Sequence, residues 1–319
     1  MIASAASPMI ELRRLHRFFG TTRAVQDVSF DVGKGQVFGF IGPNGAGKTT
    51  SMRILATLDL PTAGDAFVDG FSCVNDPDRV RRRLGFMPDY FGTYADVDCY
   101  EYLDFFARSY GLAGRERHQA IEHTMSFTRL DELAHKPIRG LSKGMRQRLC
   151  LGRAMIHDPS VLILDEPANG LDPRARIELR EMIRQLAADG KTVLVSSHIL
   201  TELAEMCDQV GIIERGKLLA VGSVDEIQRQ SAADGPHRSV KVRVLGGAAA
   251  LAVWLGQRSD VSEVQLNDEQ VHFSHAGDQS SEVALLREMV IAGFAVAEFG
   301  SHSQSLEDVF MAVTRGAVQ

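Results

Sequence analysis

The chain has 319 residues, 45% hydrophobic and 24% charged, with a net charge of −6. That is globular composition at a length suited to about two domains, and the acidic balance gives no overall basic field for nucleic acid. The four cysteines, Cys73, Cys99, Cys150 and Cys207, lack zinc-ligand or CxxC spacing and read as reduced cytosolic thiols; no apolar run approaches the ~20 residues of a membrane span, and residues 1–8 lack a signal-peptide pattern.

Up to about residue 225, apolar strands alternate with helical patterns, which favours a parallel sheet covered on both faces. Residues 37–41 (Val-Phe-Gly-Phe-Ile) read as a buried strand, followed by a Gly-rich turn and a helix from Lys48 to about Leu55. Residues 98–160 read as mainly helical. There Tyr102, Phe105, Phe106 and Ser109 are expected on one helical face, with Gly111 ending the helix. Residues 161–164 and 192–196 read as two more buried strands. A loop-like stretch, 230–236, marks a linker between a domain at 1–228 and a second at 236–319. Beyond it, Val240, Val242 and Val244 alternate with Lys241 and Arg243, as in a half-buried strand. Residues 248–255 read as helix, 261–266 and 271–273 as strands, 282–292 as helix and 294–299 as strand. Residues 305–308 (Ser-Leu-Glu-Asp) read as a capping box opening a last helix. The order is that of a small α+β, ferredoxin-like domain.

Gly42-Pro43-Asn44-Gly45-Ala46-Gly47-Lys48-Thr49 fits the phosphate-loop pattern GxxxxGK[ST], between a strand and a helix as that pattern requires. Backbone N–H groups turned inward, with the positive end of the following helix, cradle phosphate oxygens. Lys48 neutralises the β- and γ-phosphates and the Thr49 hydroxyl reaches Mg²⁺. The strand at 161–164 ends in Asp165 and Glu166, where open α/β sheets keep their sites. Asp165 is placed to hold Mg²⁺ and Glu166 to polarise an attacking water.

Leu141-Ser142-Lys143-Gly144-Met145 precedes that strand and looks like the ABC signature, usually LSGGQ. With it, the chain from about residue 10 to 227 closely resembles prokaryotic ABC transporter ATPases, in particular those of the drug- and antibiotic-export type. The resemblance implies an α/β phosphate-loop NTPase core with a helical signature subdomain at about 98–160, and ATP and Mg²⁺ as ligands. Gly42 to Gly47, Lys48, Thr49 and Thr50 resemble the Walker A loop, and Asp165 and Glu166 the Walker B acids. Asp172, closing Asn169-Gly170-Leu171-Asp172, resembles the D-loop aspartate. His198 resembles the histidine that contacts the γ-phosphate, with a core or capping role as the alternative for a lone histidine. Phe19 sits where the family stacks an aromatic ring on adenine, and Phe18 is the other candidate.

Family members dimerise head to tail, so Ser142, Lys143 and Gly144 are expected against the nucleotide of a second copy. Ser142 also reads as an ordinary helix cap. Two departures stand out. Asp89 replaces the usual glutamine and can bind Mg²⁺, while Lys143 either adds charge near a phosphate or points to solvent. Tyr90, Phe91 and Tyr94 either meet a partner or pack in the subdomain core. The resemblance implies an ATP-hydrolysing subunit, with Lys48, Glu166 and His198 catalytic, which homodimerises and powers export through an integral-membrane permease. It would be cytoplasmic and peripheral at the inner face of the plasma membrane, without nucleic acid. The rival readings are a soluble ABC ATPase acting on ribosomes or DNA, and a drug self-resistance or sensor protein.

Overall fold

The computed structural model describes residues 7–90, 92, 96–224, 226–227 and 237–303. These form two compact units that divide between Ser223 and Val224.

The first unit opens with a long antiparallel pair, β1 (Ile10–Phe19) and β2 (Thr22–Val32). Next come β3 (Val37–Ile41), α1 (Lys48–Leu55), β4 (Ala63–Val68), β5 (Phe71–Ser72), α2 (Pro77–Arg83) and β6 (Leu84–Met87). The strands form two sheets. One is four-stranded and antiparallel, in the order β2-β1-β4-β5. The other is completed by β7 (Val161–Leu164), β8 (Thr192–Ser197), β9 (Gln209–Glu214) and β10 (Lys217–Gly222). It runs β10-β9-β3-β8-β7-β6, parallel except for the β10 edge. Met52, Ile54 and Leu55 of α1 share one core with Leu12 and Val28 of the first sheet and Phe38, Ile163 and Leu194 of the second. Phe30 stacks on Phe38 with centroids 4.6 Å apart, tying β2 to β3.

The antiparallel sheet is an addition to the expected parallel one. Its pattern is hidden because β1 changes register between Leu12 and Leu15 and again before Arg17, and Arg14 takes φ 48°. Such bulges break the period of two on which strand recognition rests.

Between β6 and β7 lie α3 (Cys99–Ser109), α4 (Gly114–Phe127) and α5 (Lys143–Met155), around their own core of Cys99, Tyr102, Leu103, Ile121, Leu149 and others. Asp98 and Glu101 form a capping box that starts α3, and Gly111 follows its last turn with its N–H on Arg108 O. The face of α3 differs from expectation. Cys99, Tyr102, Leu103 and Ala107 are buried, whereas Phe105 is 56% exposed and Ser109 is exposed. The buried set follows i, i+3, i+4, i+8, and Phe105 falls off that stripe. Tyr90 is 87% exposed, so it does not pack in this core; Phe91 and Tyr94 lie outside the described residues. Two helices follow β7 and β8: α6 (Pro173–Ala188) and the short α7 (Leu200–Ala204).

The second unit is β11 (His237–Val244), α8 (Ala248–Gly256), β12 (Val261–Asn267), β13 (Gln270–Ala276), α9 (Gln279–Ile291) and β14 (Val296–Ser303). Its antiparallel sheet has the order β12-β13-β11-β14, the split βαβ arrangement of a ferredoxin-like fold. Val240, Val242 and Val244 are fully buried against Leu251, Leu255, Leu285 and Met289 of the helices. The expected linker at 230–236 and last helix from 305 lie outside the described residues.

Candidate functional site

The fully buried β3 delivers the chain into the loop Gly42 to Gly47, and α1 begins at Lys48. Gly47 takes φ 108°, and a Cβ there would come within 2.4 Å of Ala24 O, so this turn into the helix needs glycine. Pro43, Asn44, Gly45 and Thr49 are exposed, Thr50 is half-buried, and Gly42, Ala46 and Gly47 are buried. No acidic residue lies in the first turn of α1, leaving its N-terminal N–H groups free to favour an anion.

Lys48 is 5% exposed and folds back over the loop. Its Nζ donates to Gly42 O and Pro43 O and lies 3.2 Å from Glu166 Oε1. The other oxygen of Glu166 is 2.8 Å from His198 Nδ1. Lys48, Glu166 and His198 therefore converge from α1, the end of β7 and the end of β8. Glu166 has φ 48°, a sparsely populated region for a residue with a side chain.

Asp165 is 1% exposed. Ser196 Oγ donates to its Oδ1 at 2.7 Å and accepts from Glu166 N at 2.9 Å, so one hydroxyl fixes both acids. Burial pushes the Asp165 carboxyl above its ordinary value, hydrogen bonds from Ser196 and Thr49 oppose that, and the charges of Glu166 and Asp89 add to it. Asp89 is exposed and accepts from Asn169 Nδ2 at 3.3 Å. Among the described residues no three His, Cys, Asp or Glu side chains group closely enough to hold a metal ion by themselves.

The signature residues gather elsewhere. Ser142 caps α5, its Oγ accepting from Met145 N at 3.2 Å. The Lys143 side chain lies over Gly170, where an added Cβ would sit 2.3 Å from its Nζ, and Gly144 packs toward Ala175 Cβ. Lys143 is exposed, with its Nζ beside Gly170. Asp172 caps α6 through Ala175 N at 3.0 Å. The side-chain hydrogen bonds of Ser142 and Asp172 are thus local, to the first turns of their own helices. Phe19 is 48% exposed, with the Arg17 guanidinium 4.3 Å from its ring centroid. Phe18 is half-buried and faces Arg23 at 5.7 Å.

Ser196, Arg176 and Glu202 were not singled out in the sequence, and Asn169 only as the first residue of the loop closing at Asp172. Ser196 carried a signal, a hydroxyl inside an otherwise apolar buried strand, which must find a partner. The other three are polar residues whose partners are distant in sequence.

A glycine loop opening a helix at the end of β3, with a lysine on it and a carboxylate pair at the end of β7, one strand removed across β8, defines a phosphate-loop NTPase. The family profile described as ABC transporter matches residues 25–169. The chain is 37% identical over 222 residues to Nod factor export ATP-binding protein I of Ralstonia nicotianae, covering 70% of this chain and 69% of that protein. It is 34% identical over 305 residues to the uncharacterized ABC transporter ATP-binding protein YxlF of Bacillus subtilis, covering 96% and 99%. A solved ATP-binding subunit of an ABC transporter superposes with a TM-score of 0.64 at 31% identity, covering 70% of this chain and 92% of that one. The chain belongs to the ABC transporter ATP-binding family, whose members are ATPases coupled to transport. No helix among the described residues is long and apolar enough to cross a membrane.

Proposed function

We propose that the chain powers export through a separate integral-membrane permease, with ATP hydrolysed at the convergence of Lys48, Glu166 and His198. The observation that carries this reading is that convergence, at the N-terminus of α1 beside a buried aspartate. Export is supported by the name of the Ralstonia relative.

In this account the phosphates of ATP settle on the N–H groups of the loop at 42–50, and Phe19 stacks on the adenine. Lys48 exchanges Glu166 and the loop carbonyls for the β- and γ-phosphate oxygens, which carry more charge. Glu166, released from Lys48, accepts a proton from water as the water oxygen bonds to the γ-phosphorus. The bond to the β–γ bridging oxygen breaks, and ADP leaves with that electron pair. His198, whose Nδ1 faces Glu166 before ATP arrives, offers its N–H to the γ-phosphate. Thr49, Asp165 and Asp89 would hold Mg²⁺. They are hard oxygen donors, and the repulsion Asp165 feels from Glu166 and Asp89 suits a cation there. When bound, Mg²⁺ screens phosphate charge.

Ser142, Lys143, Gly144 and Asp172 would complete the site of a second copy; their contacts within the chain are local, to Met145, Gly170 and Ala175. ATP then holds a homodimer together, and hydrolysis releases it. We place the ATPase at 1–228 and read 236–319 as an accessory or regulatory domain. The protein would work in the cytoplasm, peripheral at the inner face of the plasma membrane, without nucleic acid. Gentle solubilisation of membranes carrying the tagged chain should bring down a polytopic membrane protein. Recovery of ribosomes, DNA or soluble partners alone would overturn the transport reading.

A further inference from the structure

The loop running from Glu166 to Asp172 is tied back to the catalytic histidine by one arginine. Arg176, in the first turn of α6, donates from Nε to Leu171 O at 3.0 Å. Its Nη1 lies 2.9 Å from Glu202 Oε1. Glu202 stands on α7, four residues after His198, and His198 returns to Glu166 at 2.8 Å. The links close a ring: Glu166, the loop to Leu171, Arg176, Glu202, the start of α7, His198, and Glu166 again. Pro167, Ala168, Arg176, Ile183, Glu202 and Met206 line a cavity of about 320 Å³ beside this ring. The Glu202 carboxyl is pushed up by burial, lowered by Arg176, His198 and Arg180 and raised by Glu166, so its charge is felt at both catalytic side chains.

We propose that Arg176 and Glu202 are positioning residues for ATP hydrolysis, holding the loop after Glu166 and the His198 segment in register so that the carboxylate and the imidazole meet the γ-phosphate together. Neither touches the reacting atoms. The bridge matters because a small displacement of a catalytic group costs rate steeply, and partners that orient catalytic ligands typically count for tenfold or more. The inference rests on Glu166 and His198 being the hydrolytic pair.

The test measures steady-state ATP hydrolysis and ATP affinity of the full chain carrying Arg176→Met, Glu202→Gln, both together, or Arg174→Met. Arg174 pairs with Glu178 on the exposed side of the same helix and serves as the control. Each bridge variant should lower kcat about tenfold with KM and ATP affinity little changed. The double variant should be no worse than the poorer single, as for one shared interaction. Arg174→Met should be unaffected. Should Arg176→Met melt early, Arg176→Lys decides: it keeps the stem and charge but loses the planar fork that serves both acceptors, so kcat must still fall. Wild-type kcat in Arg176→Lys and Glu202→Gln, or losses that simply multiply in the double variant, would overturn the proposal. Normal turnover by Glu166→Gln would instead remove the catalytic reading beneath it; an inactive Glu166→Gln beside an active Arg176→Met removes the bridge alone.

Discussion

Single side chains at this site are readable from sequence when a backbone pattern fixes them. Lys48, Thr49, Asp165 and Glu166 sit at defined points of a glycine loop and a strand end, so their type and spacing sufficed. Ser196 showed only as a hydroxyl within an apolar strand; Arg176 and Glu202 were not legible, because each acts through a partner that only the folded chain brings near. His157 is another such residue. Its ring stacks on Tyr110 with centroids 3.6 Å apart, and its Nε2 lies 3.2 Å from Leu84 O. Burial lowers its pKa from 6.5 to about 4, with the Leu84 bond opposing. Above pH 6.5 the imidazole is neutral folded and unfolded, and it adds no pH dependence. As pH falls from 6.5 toward 4, the unfolded chain gains a proton that the folded chain refuses, and stability drops by at most about 3 kcal/mol. Chemical denaturation of His157→Gln across that window should show a shallower loss than the native chain. An identical slope would mean the imidazole is not held neutral.

At the scale of elements, the buried strands β3, β7 and β8 and the helix α1 were legible because apolar runs bounded by turn residues have few other readings. The antiparallel sheet escaped because its bulges break the alternation, and the Phe105 face failed because four aromatic and hydroxyl residues at near-helical spacing do not fix which stripe turns inward. The contact of β6 with α5 was also invisible from sequence. Gly85 lets them touch backbone to backbone, and a Cβ there would come within 2.0 Å of Ala154 O and 2.7 Å of Leu162 Cδ2. A carbonyl of a helix cannot rotate away as a side chain can. Gly85→Ala should cost about 1–3 kcal/mol or more by urea unfolding. It should also depress hydrolysis, because β6 leads directly to Asp89. Unchanged stability would show that β6 and α5 separate freely.

For the whole molecule, the family and its ATPase core follow from motifs in order and from relatives matched along nearly the entire chain. The second unit was legible as a ferredoxin-like pattern because its valines alternate cleanly along β11. Its use was not, since its residues form no chemical motif. We propose a division of labour within the first unit: Lys48, Glu166 and His198, which converge on one another, hydrolyse ATP, and Ser142 to Gly144 serve the site of a second copy. The most direct measurement is phosphate release, bound ATP and mass in solution for Glu166→Gln. ATP should still bind, phosphate release should fall by about a hundredfold or more, and the variant should accumulate as an ATP-bound dimer. Phosphate release at the native rate, or ATP bound tightly by a species that stays monomeric, would contradict that division of labour.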